Sequence, residues 1–90
     1  MARVTSASPG ALMVDIKLSA SLDEPIEVCF EPISTTFNLD PGESIYLRLE
    51  SADLAGLEIV HWSDSIAVWV NPYPGNYTVL GRDKEILDEL

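Results

Sequence analysis

Between Leu57 and Val70 the chain holds two β-branched runs around a short polar break. Leu57-Glu58-Ile59-Val60-His61-Trp62 leads into Ser63-Asp64-Ser65, and Ile66-Ala67-Val68-Trp69-Val70 returns. Runs of this kind suit strands and the break suits a turn, so the segment reads as a β-hairpin, the central one of a small all-β domain. Its register decides which residues share a face. With Asp64-Ser65 as a tight loop, or Ser63 to Ile66 as a longer one, Leu57, Ile59 and His61 join Ile66, Val68 and Val70. Val60, Trp62, Ala67 and Trp69 then share the other face. A three-residue loop, Ser63 to Ser65, would instead group Leu57, Ile59 and His61 with Ala67 and Trp69. The first register is preferred because it keeps an unbroken aliphatic face for a core. Its aromatic second face then requires a cover: another sheet, the chain termini or a partner.

The rest of the chain alternates in the same way. Leu12, Val14, Ile16 and Leu18 interleave with Met13, Asp15 and Lys17, giving a first strand. Ile26 to Glu31 is a second, with Ile26, Val28 and Phe30 on one face and Glu27, Cys29 and Glu31 on the other. Pro32 ends it, since proline cannot donate to a ladder. Thr35 to Leu39 is a third strand, and Asp40-Pro41-Gly42-Glu43 is a strong turn signal. Ile45 to Glu50 follows, directing Ile45, Leu47 and Leu49 inward. Ser51 to Gly56 has room for one helical turn capped by Ser51 or Asp53. After the hairpin, Asn71-Pro72-Tyr73-Pro74-Gly75 breaks the sheet and Tyr77 to Leu80 resumes it. Lys84 to Leu87 is a last short strand or a helical turn, and the acids beyond it read as solvated. About seven short strands at this spacing predict an antiparallel sandwich or a partly open barrel. Residues 1–11, rich in Ser, Ala, Pro and Gly, read as a flexible arm before a single domain over residues 12–90.

Ninety residues bury only about 60% of their unfolded surface, so a deep cofactor cleft is not expected. No apolar run approaches the ~20 residues of a membrane span. Fifteen acids against five bases give a net charge of −10, and no lysine or arginine lies between Glu50 and Gly81. That field disfavours nucleic acid and anionic membranes and favours a basic protein partner or a cation. The first ten residues lack the apolar stretch of a signal peptide, and Leu87-Asp88-Glu89-Leu90 lacks the first residue of a retention tail. The Asn76-Tyr77-Thr78 acceptor pattern then has no secretory context, and a cytoplasmic protein is expected.

The candidate chemistry is sparse. Cys29 is the only cysteine and His61 the only histidine. A nucleophilic thiol would need His61 as its base. His61 could be oriented by Asp64, but a strand histidine bonded to a neighbour is the simpler reading. Glu27 and Glu31 share a strand face roughly 13 Å apart, too far to hold one ion unaided. No catalytic residue, metal or cofactor is expected. The aromatic residues are more suggestive. Trp62 and Trp69, with Val60 and Tyr73 near and Glu58 and Asp64 as an acidic rim, form a core half, a self-association contact or a partner site.

The succession Cys29-Phe30-Glu31-Pro32, Leu39-Asp40-Pro41-Gly42-Glu43, Leu57-Glu58-Ile59 and Ala67-Val68-Trp69-Val70 resembles small bacterial all-β proteins of unknown function. The likeness spans about Ile26 to Leu80 and implies a β-sandwich, with no catalytic residues to carry over. Pro-Gly turns also punctuate cupins, but cupin metal sites need two or three histidines, which this chain lacks. The functional expectation is a non-enzymatic domain acting through protein–protein contact. One form of it is an acidic immunity or antitoxin-like protein that blocks a basic partner; a homodimer is a further option. The alternative is a small-ligand or carbohydrate-binding module, stacking sugar rings on Trp69, Trp62 and Tyr73.

Overall fold

The computed structural model describes residues 12–90, so the expected arm at residues 1–11 lies outside the described residues. Eight strands form, in the order β1 (Met13–Ser19), β2 (Ile26–Glu31), β3 (Thr35–Leu39), β4 (Ser44–Glu50), β5 (Glu58–His61), β6 (Ser65–Trp69), β7 (Thr78–Leu80) and β8 (Ile86–Glu89), with a 3-10 helix, Ser51–Gly56, after β4. They build two four-stranded sheets, β1-β4-β7-β8 and β3-β2-β6-β5, which face each other as a sandwich. All neighbours run antiparallel except β2 and β6, which are parallel.

Alternation sends one side of β1, β2, β3, β4, β6 and β7 inward, whereas β5 and β8 bury no residue. Leu18, Val28, Phe30, Ile45, Leu47, Leu49, Val68 and Val79 are buried together between the sheets. Phe30 meets Phe37 edge to face, with ring centroids 5.9 Å apart. Tyr77 joins this core, its hydroxyl donating to the Pro72 carbonyl. Burial pushes its phenol pKa up, and the Asp53 charge adds to the rise. The Asp40 turn forms as its residues demand: Glu43 N–H donates to the Asp40 carbonyl at 2.9 Å, and Gly42 takes φ 80°.

Several expectations are corrected. The Leu57–Val70 hairpin is not central, because β5 is an outer strand and only β6 lies inside the sheet. Its loop is Ser63-Asp64: Trp62 N–H donates to the Ser65 carbonyl at 2.8 Å, and His61 lies opposite Ile66. The preferred facing still results, since this register differs from the expected one by two residues and preserves the faces. The aliphatic face buries Val68 and Val70, but Ile59 is 47% exposed because the opposite sheet does not reach the edge. No side chain caps the 3-10 helix; Glu50 stands at its N-cap in extended conformation. The last strand starts two residues later than expected, since Gly81-Arg82-Asp83-Lys84 closes a turn by Lys84 N–H to Gly81 O at 2.9 Å.

The outer face of the β1-β4-β7-β8 sheet carries an ion cluster. Asp15 sits opposite Arg48 in register. Arg48 donates to it through Nε at 2.7 Å and Nη2 at 2.9 Å, and Lys84 Nζ donates at 2.7 Å. Lys84 also lies 4.3 Å from the Tyr46 ring centroid. The Arg48 hydrogen bonds, with those of Lys84, hold the Asp15 carboxyl at about 2, below its ordinary 3.8. A depressed carboxyl stabilises the fold above its unfolded pKa and loses that contribution as pH falls through the folded one. Asp15→Asn is therefore expected to cost about 1–2 kcal/mol at neutral pH, given the partial exposure of its partners. Urea unfolding at pH 7 and at pH 2 checks this, the difference from the parent chain shrinking between pH 4 and pH 2.

Candidate functional site

Side chains of the β3-β2-β6-β5 sheet that point away from the core form three rows, set by strand register. Thr36, Cys29, Ala67 and Val60 make the middle row. On one side of it Glu31, Trp69 and Glu58 align, so Trp69 stands between two carboxylates. On the other side Asn38, Glu27 and Ser65 align, with Trp62 following at the hairpin end. Cys29, Ala67 and Val60 are half-buried, a shallow apolar floor between the outer rows. Trp69 is 43% exposed and Trp62 59% exposed, so neither tryptophan belongs to the core.

Parts of this face are held in place. Glu31 receives the Cys29 thiol at 3.1 Å and the Ser34 hydroxyl at 3.3 Å, which orients its carboxylate next to Trp69. Burial pushes the Cys29 thiol pKa up, and Glu31 beside it acts the same way. Cys29 therefore stays a protonated thiol at neutral pH rather than a ready nucleophile. Asp64 stands at the exposed loop tip, where its carbonyl accepts from Glu27 N–H at 3.2 Å. Tyr73 lies in the loop after β6, its hydroxyl donating to the Leu90 carbonyl at 3.3 Å. Neither a hydrogen bond nor a ring pairing ties Tyr73 to either tryptophan among the described residues. Ser65 and Trp69 are four residues apart on β6, which places Trp62 and Trp69 roughly 13 Å apart along the strand direction. The pair is spaced to flank an extended ligand, not to clasp one ring.

Among the described residues the bases belong to one sheet and its turns, while acids lie on both sheets. The strands β2, β3, β5 and β6 contain Glu27, Glu31 and Glu58 and no lysine or arginine. Lys17, Arg48, Arg82 and Lys84 all lie on the strands or turns of the other sheet. Like spacing in sequence did not reveal this, because which strands share a sheet is a tertiary choice. In the sequence Cys29 is weighed as a nucleophile and Glu31 as half of an ion-binding pair with Glu27, neither in connection with the tryptophans; register alone brings Glu31 beside Trp69.

His61 belongs to the inward-pointing set, opposite Ile66, whereas Cys29 points outward. The two lie on opposite faces of one sheet, so they make no catalytic pair. His61 instead lines an open groove of about 500 Å³ at one end of the sandwich, with Ile26, Ile66, Glu24 and Ser63. Two hydroxyls of that groove are already engaged: Ser19 Oγ lies 2.6 Å from Ser44 Oγ, and Ser21 Oγ accepts from Glu24 N–H at 3.2 Å. No group of three metal-ligating side chains occurs among the described residues, and no helix there is long and apolar enough to cross a membrane. No protein-family model matches the chain, and no curated protein or solved structure matches it either.

Proposed function

We propose that the outer face of the β3-β2-β6-β5 sheet is a protein-binding surface for a basic partner, in the manner of an immunity or antitoxin-like protein. The single observation that carries this reading is the placement of Trp69, exposed and in register between Glu31 and Glu58. An indole flanked by two carboxylates suits an arginine or lysine, which can lie on the ring and pair with an acid at once. The absence of any basic residue from the same four strands leaves that field uncancelled. A spacing of roughly 13 Å between the tryptophans favours an extended polypeptide over a single sugar ring.

The test is selection of binders from a random dodecapeptide display library at low salt. Lysine and arginine should be enriched in the selected peptides. Their affinity should fall at least about tenfold when salt rises from about 50 mM to about 500 mM. Trp69→Ala should weaken the best peptide by about 30-fold, as expected for a central aromatic anchor. Asp15→Asn, on the opposite outer face, should leave it within about twofold. Peptides without basic enrichment, or unaffected by Trp69→Ala, would sink the proposal. Binding that ignores salt would favour the small-ligand or carbohydrate reading.

A further inference from the structure

The edge of this sheet has an unused ladder. Trp62 N–H donates to the Ser65 carbonyl, which marks Trp62 and Ser65 as a hydrogen-bonded pair. Bonded pairs alternate along an antiparallel ladder, so Val60 with Ala67 and Glu58 with Trp69 also exchange bonds. The N–H and C=O of Ile59 and His61 then point away from β6. β5 is the last strand of its sheet, and no backbone bond reaches Ile59 or His61 from another element among the described residues. Ile59 is 47% exposed and His61 is exposed. The usual protections are thin here: β5 carries no lysine, no proline and no bulge. By contrast, on the other sheet the β7-β8 pair carries a register shift between Val79 and Leu80, and β1 carries Lys17; β3, the far edge of this sheet, lies two strands from Trp69, whereas β5 pairs with it directly.

We propose that β5 accepts an extended basic segment of the partner as an added strand. This rests on the reading of the outer face as a site for a basic protein, and it specifies how that protein docks. Residues of the added strand opposite Ile59 and His61 would exchange four backbone bonds with them. Those opposite Glu58 and Val60 would share the outer face. A lysine or arginine opposite Glu58 extends the acid–indole row of Glu31, Trp69 and Glu58, and an apolar residue opposite Val60 extends the middle row. The recognised pattern is thus an apolar residue two positions from a basic one. Charge selects this occupant over a second copy, since two copies would bring two chains of net charge −10 together with Glu58 and Asp64 on both.

The test uses the best peptide from the display selection, with hydrogen exchange followed residue by residue on the whole chain. The Ile59 and His61 amides should exchange freely alone and slow at least about tenfold with peptide bound. N-methylation of those alternate peptide amides that face β5 should cost at least about tenfold in affinity, while methylation of the others should cost little. Ile59→Pro removes an outward donor without touching the β5–β6 bonds and should weaken binding similarly. Basic peptides that need Trp69 but neither protect these amides nor respond to N-methylation overturn strand addition and leave the outer-face reading standing. Failure to select basic peptides overturns both. Protection of Ile59 and His61 in the free chain, or protection that rises with protein concentration alone, also overturns the proposal, the latter in favour of a second copy.

Discussion

Phe30→Ala is expected to lower the unfolding free energy by about 3–5 kcal/mol, the usual cost of emptying a buried aromatic site. Phe30 is fully buried, on a strand flanked on both sides, and its ring packs edge-on against Phe37. A domain of this length holds about 5–13 kcal/mol in all, so the variant should sit near the limit of folding. The measurement is urea unfolding by circular dichroism, reading a lower midpoint with an unchanged slope. Ile59→Ala is the matched control. It removes a branched aliphatic side chain from the same sheet, but from a half-exposed edge position, and should cost less than about 1 kcal/mol. Equal losses at both positions would mean that burial between the sheets is not what stabilises this fold.

Gly56→Ala is expected to cost about 2–3 kcal/mol by overpacking. A Cβ at Gly56 would overlap the Asn71 carbonyl oxygen and come within 3.0 Å of the Asn71 carbonyl carbon. Neither atom can swing aside as a side chain would. Asn71 follows Val70, whose N–H donates to the Glu31 carbonyl at 2.9 Å and whose side chain is buried. The 3-10 helix must therefore end close against the backbone leaving β6, and only glycine fits. Gly81→Ala is the informative comparison, because the nearest atoms to a Cβ there are the carboxylate end of the exposed Glu85 side chain, which can rotate into solvent. Thermal unfolding of the two variants should show the larger fall for Gly56→Ala. The reverse order would mean that the close approach at Asn71 relaxes without cost.

Much of the local structure was readable before any coordinates. The bounds of β2 and β3 match those expected from alternation and from Pro32. The Pro41-Gly42 turn follows from a fixed φ at one residue and a positive φ at the next. Ser34, by contrast, takes φ 66° in the loop before β3, and neither proline nor glycine at that position announced it. The candidate site was half legible. Trp62, Trp69, Val60 and Glu58 were placed on one face because odd and even positions diverge along any strand. Glu31 and Glu27 were placed on a face of β2, but nothing in the chain joined that face to the tryptophans.

The alternation along β1, β2 and β4 and the Pro41-Gly42 turn are set by the order of residues alone, because they depend on neighbours a few bonds apart. Neighbours across the sheet are fixed by packing between distant segments. The parallel pairing of β2 with β6 sets Trp69 beside Glu31, leaves β5 at the edge and puts Glu27, Glu31 and Glu58 on a sheet whose strands carry no base. Tyr77 goes into the core while both tryptophans stay at the surface. Those choices follow from burying Val28, Phe30, Val68 and Val79 together, a condition on residues far apart in the chain that no local pattern encodes.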